Sequence, residues 1–256
     1  MSYKFASHTD VGIRKSTNQD SYCIREAETD KGTVLFALLC DGMGGLEKGE
    51  VASATLIRVW SDWFEKDLPH ILTCDDILGE VKSSWTRLMT SENYRIGQFG
   101  VQHNINLGST FTGLLILEDG RYIIGHVGDS RAYRITNDGV TLLTEDQTLV
   151  AREVAAGRMT AEDAERDPRR SILLQCIGAS ASVTPAFYFG EVSEGENYML
   201  CCDGFRHLIS NDEFYAYLCP ETNPTEAYLQ QHVEELVELN KERKESDNIT
   251  AVCIGI

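Results

Sequence analysis

Four apolar runs carry an aspartate at one end. Asp41 closes "VLFALLC" ahead of Gly42, Asp203 closes "YMLCC" ahead of Gly204, Asp129 ends "YIIGHVG", and Asp247 with Asn248 opens "ITAVCIGI". If these strands are neighbours with the same ends on one side, the carboxylates converge at a rim. Oxygen ligands on rigid strands, without His or Cys partners, suit hard divalent cations such as Mg²⁺ or Mn²⁺. A glycine after the ligand, lacking Cβ, lets the backbone aim its carbonyl at the same ion or lets a substrate approach.

Any one Asp-Gly pair reads as a hairpin corner, because the dipeptide is among the commonest turn signals. The set is harder to explain that way, since "DGMGG" (41–45) puts three glycines in five positions and stands in order with "NQD", "GDSR" and "SDN". The same stretch lacks the Lys-Ser/Thr pair of a nucleotide phosphate loop. Eight cysteines make no C-x-x-C pair, and Cys40, Cys201, Cys202 and Cys253 sit inside apolar runs, so they read as small buried hydrophobes and not as zinc ligands. His126, on a mostly apolar strand, reads as a hydrogen-bonded core residue. Arg131 is expected to tie strands together, Thr110 to pack or hydrogen-bond beneath the site, and Trp60, Trp63 and Phe64 to cover a sheet.

The elements that must position these residues are legible as apolar runs around 20–26, 33–40, 111–118, 121–127, 185–192, 197–202 and 249–255. Asp119-Gly120 marks a hairpin between two of them. Helical spacing appears over 47–67, 75–94 and 224–241, the last opened by Pro224. Paired strands with few long helices predict an α+β fold of two packed antiparallel sheets with helices outside. The polar segment 144–180, interrupted by Gly157 and Pro168, reads as a surface flap with short helices. No linker or repeat divides the chain, so a single domain over 1–256 is expected.

Composition narrows the partners. With 23 basic and 40 acidic residues the net charge is −17, which repels nucleic acid and anionic lipid. The N-terminus has no apolar signal core, and no stretch approaches the roughly 18 to 20 apolar residues that span a bilayer. A cytoplasmic, membrane-free protein is expected.

The ordered segments "GIRKSTNQD" (12–20), "DGMGG", "GSTFTGLLI" (108–116), "GHVGDSRAY" (125–133), "QCIGA" (175–179), "CDGF" (202–205) and "SDNITAV" (246–252) together resemble the metal-dependent type 2C serine/threonine phosphatases, in their bacterial style. The resemblance implies a four-layer αββα sandwich that hydrolyses phosphoserine and phosphothreonine with a metal-activated water. It implies two Mn²⁺ or Mg²⁺ ions, with Asp41 bridging both, the Gly42 carbonyl on one, and Asp203 and Asp247 on the other. Asp20 belongs to the surrounding shell, and Asp129, sharing Asp203, helps hold a third, weaker ion.

Arg14 or Lys15 would grip the substrate phosphate. The family arginine falls at Lys15, which gives up bidentate recognition. Gln19 replaces a glutamate common at that position, and Met43 a histidine proposed elsewhere as general acid. These departures leave a catalytically silent phosphoprotein-binding module as the alternative, and a small phosphomonoester as another substrate. By analogy the partners are phosphoprotein targets of a bacterial-type Ser/Thr kinase, acted on by a monomer.

Overall fold

The computed structural model describes residues 3–43 and 48–256, so Gly44 and Gly45 of "DGMGG" and residue 47 of the first expected helix lie outside the described residues. Ten strands occur among them: β1 (Lys4–Asp10), β2 (Asp20–Thr29), β3 (Gly32–Asp41), β4 (Phe111–Ile116), β5 (Arg121–Val127), β6 (Arg131–Thr136), β7 (Gly139–Leu142), β8 (Ala186–Glu191), β9 (Asn197–Cys201) and β10 (Ile249–Gly255). The helices are α1 (Gly49–Lys66), α2 (Leu68–Ile71), α3 (Ile77–His103), α4 (Leu149–Ala155), α5 (Ala161–Arg166), α6 (Asp203–Arg206), α7 (Asn211–Leu218) and α8 (Glu226–Glu242).

The strands form two five-stranded sheets, ordered β1-β10-β9-β6-β7 and β2-β3-β4-β5-β8. Every pairing in both is antiparallel. β3 shows why its sequence is a continuous apolar run and not an alternating one. Leu35, Ala37 and Leu39 join the core shared with the other sheet, while Phe36, Leu38 and Cys40 join the core under α1 and α3. A strand covered on both faces has no solvent side to mark with polar residues. On the far side, Leu229, Val233 and Leu236 of α8 continue the first core. The layers are therefore helix, sheet, sheet, helix, as expected.

Three strands and three helices escaped the sequence reading, among them the four-residue α2. β1 mixes polar residues through an edge strand, and β6 and β7 follow the "GDS" turn with a half-exposed pattern. α6 and α7 are 4 and 8 residues long, too short for a periodic signal. α3 runs past the expected end at 94 to His103, where Asn104 closes it in the left-handed conformation at φ 52°. Within the flap, α4 and α5 are capped by the Thr148 and Thr160 side chains.

Candidate metal centre

The register of the second sheet sets Asp20 directly opposite Asp41 at the shared end of β2 and β3. From the first sheet, β9 leads through Cys202 into Asp203 at the start of α6, and Asp247 lies just ahead of β10. Carboxylates from both sheets therefore meet at one rim. Carboxylate oxygens of Asp20 and Asp41 and the Cys202 sulfur all lie within 4.8 Å of one another.

The backbone beneath Asp41 is held from several sides. Its N–H donates to Thr110 Oγ1 at 2.9 Å, and its carbonyl accepts from the Thr110 N–H at 2.8 Å and from Ser109 Oγ at 3.0 Å. Thr110 thus hydrogen-bonds beneath the site, and its hydroxyl meets that of Ser130 at 2.8 Å. Gly42 is required here, because a Cβ would run into the Gln19 carbonyl and the Gly49 backbone. At Gly204 the obstacle would be the Asn248 carbonyl.

Burial and, after it, charge repulsion set the electrostatics of the rim. Burial, then Asp20, Asp203, Asp129 and Asp247, push the Asp41 carboxyl well above the usual range. Burial likewise raises Asp20 to about 6 against opposing bonds from Thr250 and Cys202, with Asp203 and Asp247 adding to the rise. Asp129 is pushed up to about 7 by burial and then by Asp203, against the opposing charge of Arg206. Asp20 Oδ2 accepts from Thr250 Oγ1 at 2.6 Å, but its Oδ1 is buried with no hydrogen-bond partner among the described residues. Clustered carboxylates with an orphaned oxygen are what a hard divalent cation relieves, so the donor set fits such an ion.

Asn248 builds the loop that carries the phosphate-gripping candidates. Its Oδ1 accepts from the Gln19 N–H at 3.0 Å, and its Nδ2 donates to the carbonyls of Val11 at 3.0 Å and Thr17 at 3.2 Å. Lys15, on that loop, places Nζ 2.8 Å from Asp247 Oδ1, and this pairing, against burial, raises its pKa. Arg14 is exposed. The Gln19 side chain donates to Glu50 Oε2 at 3.3 Å, so a carboxylate from α1 stands beside the position where glutamate was missing. Met43 is fixed through its N–H to the Gly108 carbonyl at 3.1 Å.

Sequence reasoning missed Asn248, Glu50, Arg206 and the position of Cys202. The Cys202 thiol is buried as expected of an inert hydrophobe, yet it also accepts from the Thr250 N–H at 3.1 Å and donates to the Asn248 carbonyl at 3.4 Å. Arg131 needs a correction. It grips Asp146 with Nε at 2.8 Å and Nη2 at 2.9 Å, tying β6 to the base of the flap and not strand to strand. His126 is a fully buried core residue whose Nε2 donates to the Glu145 carbonyl at 3.1 Å, and burial pushes its pKa down to about 4. Between the flap and α6–α7 lies a groove of about 1390 Å³, lined by Arg152, Arg170, Leu208 and Phe214 among others.

The comparisons with known proteins agree on one family. A family model described as Protein phosphatase 2C matches residues 7–239. A putative protein phosphatase 2C-type of Streptococcus pyogenes serotype M6 is 32% identical over 253 residues, spanning 98% of this chain and 96% of its own. The serine/threonine phosphatase stp of Listeria monocytogenes serovar 1/2a is 30% identical over 207 residues, with 80% and 79% of the two chains covered. Among solved structures, the S. agalactiae serine/threonine phosphatase aligns at TM-score 0.85 and 31% identity over 100% of both chains. The catalytic domain of the phosphatase PstP, solved with 2 manganese ions, aligns at TM-score 0.77 and 25% identity over 99% of this chain and 97% of its own.

Proposed function

The chain belongs to the protein phosphatase 2C family and is a metal-dependent protein serine/threonine phosphatase, and we propose that its rim of aspartates holds two divalent ions for that hydrolysis. Asp41 would be shared between them, with the Gly42 carbonyl available to one ion and Asp203 and Asp247 to the other. The observation that carries this reading is the cluster itself: carboxylates from two sheets at one rim, with Asp20 Oδ1 buried and unpartnered among the described residues. The 2 manganese ions of PstP support a two-ion count. When bound, such ions supply Lewis-acid charge and acidify water to react near neutral pH.

The chain's own residues then have limited tasks. No side-chain nucleophile is needed. Asp20, set opposite Asp41, offers its free oxygen to orient water and accept its proton. Lys15 holds its ammonium 2.8 Å from Asp247, at the rim itself, which favours it over exposed Arg14. Met43 has no proton to give, so the leaving oxygen takes its proton from water. The flap groove receives the protein around the phosphorylated residue. Gln19 and Met43 do not by themselves favour the silent module, because Asp41, Asp203 and Asp247 are all present and act on one another's charge.

We also read the substrates as targets of a bacterial-type Ser/Thr kinase, and the protein as a cytoplasmic monomer of one domain. No helix among the described residues is long and apolar enough to cross a membrane. The test is phosphate release from a phosphothreonine peptide across Mn²⁺, Mg²⁺ and chelator, with Asp203→Asn alongside. Turnover that needs metal and falls more than about a hundredfold in the variant is expected, since even outer-shell partners of a metal cost 10–100-fold. Turnover in chelator, or full activity of the variant, would sink the reading.

A further inference from the structure

Arg206 follows the Asp203-Gly204-Phe205 segment and closes α6. Its side chain is only 11% exposed, and Nη2 donates to the Asp129 carbonyl at 3.1 Å and to Asp146 Oδ2 at 3.2 Å. Asp129 Oδ2 lies 4.0 Å from the same nitrogen. Arg131 grips Asp146 from the other side, so the flap base, β6 and α6 share one chain of alternating charges. Arg206 Nε is buried with no hydrogen-bond partner among the described residues.

This arrangement does not fit the third ion that the family resemblance attaches to Asp129. A divalent cation arriving there would meet a fixed guanidinium about one ion-pair distance away, with burial limiting solvent screening. The Asp129 carboxylate already faces, at 4.0 Å, a cation that cannot diffuse off. We propose that Arg206 is the resident cation of Asp129, so that this chain holds two divalent ions and replaces the third with a covalently tethered charge. The inference rests on the two-ion reading above and deepens it. One consequence is that the link between Asp129 and the flap does not depend on metal concentration.

The test is a Mn²⁺ titration of the full chain, counting bound ions by the loss of the free-ion electron paramagnetic resonance signal. The wild type is expected to bind two ions. Arg206→Gln, which keeps hydrogen-bonding capacity but not charge, is expected to gain a third, at least about tenfold tighter than any third ion in the wild type. Arg206→Lys keeps the charge and should stay at two. A third ion of equal affinity in the wild type and Arg206→Gln, or two ions in both, overturns the proposal while leaving the two-ion centre intact. No bound ion in any form overturns the two-ion reading as well. Should Arg206→Gln fail to fold, the wild type and Asp129→Asn decide. Two ions in each supports the resident cation, and a third ion present in the wild type but lost with Asp129 refutes it.

Discussion

β3 runs from an aromatic core into a rim of like charges, and the two ends of that path have opposite energetics. Along its middle, Phe36 lies 5.7 Å from Trp85 and 6.0 Å from Trp63, ring centre to ring centre, and Trp85 lies 5.9 Å from Phe111. Each such ring excludes water and adds dispersion contacts, so this region holds the fold together without help. At Asp41, a few residues further on, each neighbouring carboxylate raises the cost of the next. The apolar region carries the stability on which the charged rim depends, and the rim is built for a cation and not for the empty protein. The same strand thereby fixes ligand geometry rigidly and tolerates the repulsion.

Breaking the aromatic side should have the largest effect. Trp85→Ala, at a fully buried position, is expected to cost about 3–5 kcal/mol in urea unfolding, equally with and without Mn²⁺. A metal-dependent cost would show that the two regions are coupled. The rim should respond with a change of sign. In chelator, Asp41→Asn removes one repelling charge and is expected to raise stability by about 1 kcal/mol. With Mn²⁺ at a hundred times its dissociation constant the wild type gains about 2.7 kcal/mol that the variant forgoes, so the order reverses. Thermal melts in both conditions check this, and an unchanged order would argue against Asp41 as a ligand.

The smallest effect tests a polar group in the apolar region. His126 titrates near pH 4 when folded, below its ordinary unfolded value of about 6.5. Between those values the unfolded chain binds the extra proton, so the stability contributed by neutral His126 is complete above about pH 6.5 and is lost as pH falls toward 4. The advantage of the wild type over His126→Gln should therefore shrink by about 1 kcal/mol at about pH 5.5. A gap that stays constant across that range would mean the imidazole does not titrate as its burial implies.

The parts of this molecule that could be read in the sequence share a physical cause. β3, β4, β9 and β10 are buried along almost their whole length, so composition alone announced them. β1 was invisible because its edge position leaves Ser7, His8 and Thr9 free to be polar. Asp41, Asp203 and Asp247 were legible because a carboxylate abruptly ending an apolar run is unusual. The tasks of Asn248 and Arg206 were not, although Asn248 lies within "SDNITAV" and Arg206 directly follows "CDGF". Their meaning lies in partners far off in the chain, Gln19 for one and Asp146 for the other.

The pairing of β1 with β10, from Lys4 against Gly255 to Asp10 against Ile249, sets a timetable for biosynthesis. β10 lies between β1 and β9, so the first strand has no sheet to join until the ribosome has delivered residues up to 255. Asp247 arrives in the same late stretch. The nascent chain can therefore hold Asp20 opposite Asp41 early, but Asp247 reaches the rim only once β10 has emerged. Phosphorylated neighbours at the ribosome are thus beyond reach of an unfinished copy.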